Sequence, residues 1–283
     1  MFAIALSTFK EIHRKKIFHF ISILTILYLI LLGFILKKMG ESINQFDGLV
    51  NAVLNLSSTI SMIGFYFSSM LVGFLTVMLS IGIVSSELEN GTILTVLTKP
   101  IRRSEYILGK YIGTALLVII YSTFLYTAVI VISTLSKISL VETFGTAALF
   151  KGFLFFILQP LTLLAVCLYG STICRTIING ILIIGLYMLG LIGGLIEQAG
   201  AFTNNSTLSA IGIISSLISP FEVIYRKMIF TIFSTLGSLS NLTSFGMPGA
   251  STRPSIWMMV YVCIYLMFFI LLSINGFRKR DIG

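Results

Sequence analysis

The sequence predicts an all-α polytopic membrane protein with six transmembrane helices, and three observations predict it. The chain is 57% hydrophobic and only 10% charged, with a mean hydropathy of +1.03, whereas soluble domains carry about 25% charged residues. No single water-facing fold of 283 residues buries that much apolar surface, so the bilayer must act as its solvent. The apolar runs are about 20 residues long and uninterrupted, the length of a membrane-crossing helix. Strands of a membrane barrel would instead alternate over about ten residues. Finally, Lys and Arg collect beside the ends of the apolar runs, as topology determinants do. Hydrocarbon tolerates no open sheet edge, so a helix bundle remains. Residues 1–283 read as one membrane domain with no room for a separate catalytic one.

The elements follow in order. Residues 1–16 form an amphipathic interfacial helix, with Phe2, Leu6, Phe9 and Ile12 on one face and Thr8, Lys10, Glu11 and Lys15 elsewhere. Such a helix lies in the interface with its cations toward lipid phosphates; a frayed basic leader is the alternative. Lys10, Arg14, Lys15 and Lys16 precede a full-length span with no small-residue cleavage site after it, so a cleavable signal peptide is not expected. His13 and His19, without partners in sequence, read as interfacial. Spans are expected at 17–36, 60–84, 111–135, 152–174, 177–196 and 256–277.

Between the second and third spans lies 85–110, the most polar internal run. Ser86 and Glu89 have the spacing of a capping box. Ile93, Leu94, Leu97 and Ile101 then share a helical face, Pro100 ends that short helix, and Ser104 and Glu105 open the next. The expected product is a short helix held at the membrane surface, shaped for docking. The other long polar segment is 197–255. Within it, Leu208–Ile218 and Met228–Leu236 are apolar but too short to span, which predicts re-entrant or interfacial helices before the last span. Two extra crossings are the alternative. Gly237–Pro254 reads as a flexible outer loop.

Six spans place both termini on one side. That side carries twelve of the 19 Lys and Arg, including Lys99, Arg102, Arg103, Lys110 and Arg175, and the other carries seven. With five acids on each side, the net balance is +7 against +2, so the termini and the 85–110 elbow are expected in the cytoplasm. A positive charge distributed in this way need not mean nucleic acid, and no nucleic-acid partner is expected. Cys167, Cys174 and Cys263 lie in or beside apolar segments and form no disulfide framework.

Some spans contain polar positions. Gln159-Pro160 kinks the fourth span and, with Tyr121 and Ser122 of the third, is a candidate lining for a solute path; bonds between neighbouring helices are the alternative. Gly109-x-x-x-Gly113 and Gly190-x-x-x-Gly194 permit close helix approach, within the subunit or across a dimer seam. No span carries Asp, Glu, Lys or Arg near its centre, which argues against an ion-coupled carrier. No HExxH, G-x-S-x-G or Walker A motif occurs, so the chain is not expected to be an enzyme or to bind ATP, and it needs no cofactor of its own. Energy would have to come from a partner.

Four stretches carry a resemblance to a known family. Glu87-x-x-x-Gly91-Thr92, Leu97-Thr98-Lys99-Pro100-Ile101-x-Arg103 and Leu108-Gly109-Lys110-Tyr111 together resemble the signature loop of type-two (ABC-2) ABC transporter permeases. TFKEIHRKKIF (8–18) is similar to the family's connecting helix. Ser219-Pro220-Phe221-Glu222 through Tyr225-Arg226 resembles the patch before its last span, and FRKRDI (277–282) resembles its tail. The S-P…Y-R patch and outer loop are also similar to the permease of systems that mature nitrous oxide reductase.

The resemblance implies a permease domain of an exporter in a bacterial or archaeal cell membrane. It implies a homo- or heterodimer of permeases bound to two separate ABC ATPase subunits that carry the ATP, with lipids as the remaining partners. It assigns ATPase coupling to Glu87, Glu89, Gly91, Thr92, Leu97, Pro100 and Arg103. Glu87 and Glu89 would pair with basic residues of the ATPase, and Arg102 and Arg103 would meet phosphates. A non-transporting scaffold or immunity protein on the same bundle, and an intramembrane lipid-modifying enzyme, are the competing classes. The second would need a buried acid–base pair.

Overall fold

A computed structural model of the chain describes residues 2–43, 50–93, 102–136, 140, 144–233 and 254–279. Its regular structure among those residues is helical: α1 Phe2–His13, α2 Lys16–Ile43, α3 Val50–Ser80, α4 Ser85–Glu89, α5 Arg103–Leu135, α6 Thr146–Ile173, α7 Thr176–Thr203, α8 Ser206–Ile218, α9 Phe221–Phe233 and α10 Ile256–Arg278. Six segments are long and apolar enough to cross a membrane: Lys16–Lys38, Thr59–Glu89, Arg103–Leu135, Thr146–Ile173, Thr176–Ala201 and Ile256–Arg278. Leu94, Leu97, Pro100 and Ile101, and the loop expected after Gly237 up to Arg253, lie outside the described residues.

The amphipathic first helix forms, but with a different buried stripe from the one its large side chains suggest. Ala5, Thr8 and Ile12 are buried while Leu6 stays exposed. The reason is backbone proximity: the Ala5 carbonyl and the Thr8 side chain occupy the space that a Cβ at Gly113 of α5 would need. Small residues at 5 and 8 permit that approach, and Leu6 is left to the lipid. Gly113, the second glycine of that spacing, thus serves packing within the chain.

The second span is broken at residues 81–84, where α3 stops and α4 begins. In lipid every freed backbone group needs a partner, and other elements supply them. The N–H groups of Val84 and Ser85 each donate to Ser171 Oγ at 2.9 Å. Asn179 Nδ2 donates to the Ile81 carbonyl at 2.7 Å. The break is therefore docked on the α6–α7 turn. The third span starts earlier than its apolar run, because Tyr106, Ile107 and Lys110 are buried against other helices rather than solvated. At about 1.5 Å per residue, α5 is longer than the hydrocarbon layer is thick.

α8 and α9 make a hairpin bent by 106°. α8 retraces α7 in antiparallel register: Ser209 lies against Gly200, Ser215 against Gly193 and Ser219 against Gly190. α9 then runs back along α6, with Ile232 against Gly152. The apex at Ser219-Pro220 reaches the middle of the bundle. There Ser219 Oγ donates to the Leu186 carbonyl at 2.9 Å, while Tyr261 and Tyr265 donate to the Leu217 and Ile218 carbonyls at 2.6 and 3.0 Å. The bent pair has the length and composition of one broken span or of a re-entrant loop. Gly190-x-x-x-Gly194 is its groove, since Glu222 occupies the space beside Gly194.

The hairpin also changes the charge picture. Spans hold no central charge, but α9 brings Glu222 and Arg226 into the interior, each no more than 2% exposed. Arg226 Nη2 donates to Glu197 Oε2 at 2.6 Å and to Ser216 Oγ at 3.3 Å. A count of charges restricted to unbroken apolar runs misses this cluster, because α9 is a short helix that enters the bundle beyond a sharp bend.

Candidate coupling site

The site lies where the chain leaves its second span. α4 carries Glu87 on its inward side, and α5 carries Tyr106 and Lys110 one turn apart on the face opposite. Tyr106 Oη and Lys110 Nζ both donate to the Glu87 carboxylate. Lys110 also reaches Glu11 Oε2 of α1 at 3.4 Å, and Glu11 pairs with Lys15 at 3.5 Å. The Lys110 side chain is only 6% exposed and that of Glu87 19%. Such a buried ammonium needs its counter-charges, since an unpaired charge at low dielectric is costly. The Tyr106 ring, 6.0 Å from Nζ, adds a cation–π contact.

Beneath this network is an apolar floor drawn from distant parts of the chain: Ile83, Val84, Ile93, Tyr106, Ile107, Leu168 and Phe277, with Ile4 and Leu88 against it. Tyr106 stacks on Phe277 of α10 with ring centroids 5.4 Å apart. Arg103 Nη1 donates to the Arg278 carbonyl at 3.0 Å. The first helix, the elbow, the start of the third span and the end of the last helix therefore meet at one corner.

The other expected coupling residues are placed as follows. Glu89 does not form a capping box with Ser86. Its Oε1 accepts from the Thr176 backbone N–H at 2.7 Å and its Oε2 from Thr176 Oγ1 at 3.1 Å. The carboxylate thus sits at the positive end of α7, a more favourable position than a five-residue helix offers. Ser86 Oγ instead donates back to the Gly82 carbonyl. Ser104 does not cap α5 either; the cap position is Arg102, and Ser104 and Glu105 fall in the first turn. Gly91 adopts φ +69°, the left-handed conformation that glycine takes without a Cβ penalty. Thr92 Oγ1 donates to the Glu87 carbonyl at 3.4 Å. Glu89, Asn90, Gly91, Thr92, Arg102 and Arg103 are exposed and form an open rim.

Sequence reasoning missed Glu11, Tyr106 and Lys110 as members of the site. A usable signal was there: Tyr106 and Lys110 have i, i+4 spacing and so share a face.

The candidate path residues lie elsewhere and are buried. Ser69 Oγ donates to Gln159 Oε1 at 2.7 Å, and Tyr111 Oη donates to the Leu161 carbonyl just after Pro160 at 3.1 Å. Tyr121 Oη bonds Thr25 Oγ1, and Ser122 Oγ donates to the Val118 carbonyl at 2.7 Å. In this conformation each of these groups serves contacts within the bundle.

No curated protein matches the chain. Residues 2–282 match the ABC-2 family transporter protein family. A bundle of membrane-crossing helices with a polar elbow after the second, matched over essentially its whole length, belongs to the ABC-2 family of transporter proteins.

Proposed function

We propose that this ABC-2 permease component works as an exporter, with two permease subunits served by two separate ATPase subunits that dock on the elbow from the cytoplasm. The observation that carries this reading is the latched corner. Glu87, Lys110 and Glu11 tie the elbow to the first helix and the third span, so a push on the rim is delivered to several helices at once. Glu87 acts as a positioning residue inside the latch, while Glu89, Gly91, Thr92 and Arg103 lie on or beside the rim that a partner would touch. Leu97 and Pro100 belong to the same docking segment. Glu89 has a second consequence: its bond to Thr176 carries elbow movement into α7, whose far end holds Glu197 against Arg226. Gln159, Pro160, Tyr121 and Ser122 would line a path only after the spans rearrange. Both termini are then cytoplasmic, and the cell membrane is the location.

The test is a reconstituted transporter in which ATP hydrolysis and substrate movement are measured together. Glu87→Gln and Gly91→Val should each leave hydrolysis in place while lowering the transport-to-hydrolysis ratio about 5- to 150-fold, the ordinary range of a coupling free energy. Unchanged ratios in both variants would overturn the docking role.

A further inference from the structure

Glu222 stands in the first turn of α9 and is 2% exposed. Its Cγ fills the space that a Cβ would need at Gly194 of α7, so the side chain lies between packed helices. Among the described residues its carboxyl makes no ion pair and no hydrogen bond. The charges that act on it are Arg226, one turn further along α9, and Glu197 of α7. Arg226 turns the other way: its Nη2 donates to Glu197 Oε2 at 2.6 Å and to Ser216 Oγ at 3.3 Å.

The remaining titratable groups around α9 add no positive charge. Tyr66 of α3 and Tyr187 of α7 both lie near enough to feel Glu222, and the buried Tyr187 hydroxyl has no partner. Cys167 of α6 packs in the same apolar cluster as Phe221. α8 has no titratable side chain facing it, and Tyr225 of α9 itself donates to the Met62 carbonyl at 3.2 Å. Lys151 and Lys227 line a separate cleft with Phe144 and Phe230, and Lys227 donates to the Pro254 carbonyl at 2.8 Å. The interior therefore holds two carboxylates and one guanidinium, which leaves one negative charge without compensation.

A surplus charge at low dielectric is costly, and two carboxylates in one site resist joint ionisation. An ionisable side chain facing the interior of a membrane bundle marks an ion or proton site. We propose that Glu222 is a proton-binding site inside the bundle. It holds a proton while the α8–α9 hairpin is packed on α7. When that contact opens, the O–H bond breaks, the proton passes to water and the electron pair stays on the carboxylate. A metal ion is the competing occupant, and it needs several oxygen ligands about one point. Among the described residues no group of three or more His, Cys, Asp or Glu side chains is placed to supply them, whereas a proton needs a single oxygen. The site does not depend on where an ATPase docks.

Infrared spectra of the purified full chain test this directly. At neutral pH the wild type should show a protonated carboxylic C=O band that Glu222→Gln lacks. Unfolding midpoints in detergent read the linkage. The unfolded chain releases this proton near the ordinary glutamate pKa of about 4.3, so the stability contributed by the neutral carboxyl is complete below that pH and declines above it. From about pH 5 to about pH 7 the wild-type folding constant should fall, relative to Glu222→Gln, by up to about tenfold per pH unit. Glu197→Gln leaves Arg226 to balance Glu222 and should remove both the band and the relative fall. A band that survives in either variant, or parallel pH curves for the wild type and Glu222→Gln, overturns the proposal. So does failure of Glu222→Gln to fold at any pH, since a neutral side chain is what the packed state is proposed to contain. A wild-type midpoint that follows sodium concentration rather than pH would replace the proton with a metal ion.

Discussion

Lys110 brings a cation to a place where burial alone would disfavour it, and its two carboxylate partners arrive from 23 and 99 residues away in the chain. Removing one member of such a pair costs more than the pair itself contributes, because the survivor keeps its charge without compensation. Lys110→Met should therefore lower stability by about 3–5 kcal/mol. The double variant Lys110→Met/Glu87→Gln should recover most of that, since a neutral amide still accepts from Tyr106. Unfolding midpoints of the purified protein in detergent measure both. Equal loss in the single and double variants would show that the ion pair is not the source. Gly91 and Glu89 illustrate two further effects at this scale, one a backbone angle open to glycine and the other a carboxylate drawn to the nearest strong dipole.

Among the elements, the α8–α9 hairpin depends most on context. Neither helix is long enough to cross, and both are held at depth by small residues in α7. Gly194 is one of these contacts, and a side chain there would occupy the position of Glu222. Gly194→Val should displace the hairpin and expose its interior face. With Cys174 and Cys263 replaced by serine and buried Cys167 retained, Ser216→Cys should react slowly with a soluble maleimide, and about tenfold or more faster once Gly194→Val is added, a change of about 1.4 kcal/mol in opening. An unchanged rate would mean that the glycine groove does not hold the hairpin. α6, a single helix with Pro160 inside it, behaves differently. Ser69 Oγ donates to the Gln159 side chain and Tyr111 Oη to the Leu161 carbonyl, so neighbouring helices bond the residues on either side of Pro160.

For the whole molecule, the exposed apolar side chains of α2, α7 and α10 form the lipid-facing surface, and Trp257, 77% exposed at the start of α10, sits where interfacial aromatics are enriched. The asymmetry of positive charge predicts how this surface is oriented. In the same serine background, Asn90→Cys should react with a membrane-impermeant maleimide only in inside-out vesicles, and Ser255→Cys only in right-side-out vesicles. The reverse pattern would place the elbow outside and remove it from any cytoplasmic ATPase. The residues of the N-terminal stretch, the elbow, the LGKY run and the tail were each visible in the sequence as separate patterns. Their meeting at a single corner was not, because no spacing along the chain encodes which helix end lies beside which.

By itself the sequence determined the membrane class and the six apolar runs long enough to cross. Each follows from sums over consecutive residues, and transfer of a helix into hydrocarbon depends on just such a sum. Only the tertiary structure decided that Glu89 caps α7, that Lys110 is buried between two acids, and that Glu222 and Arg226 reach the interior on a bent pair of short helices. Those outcomes depend on which distant backbone or charge comes within a few ångströms, and at low dielectric that proximity outweighs local propensity.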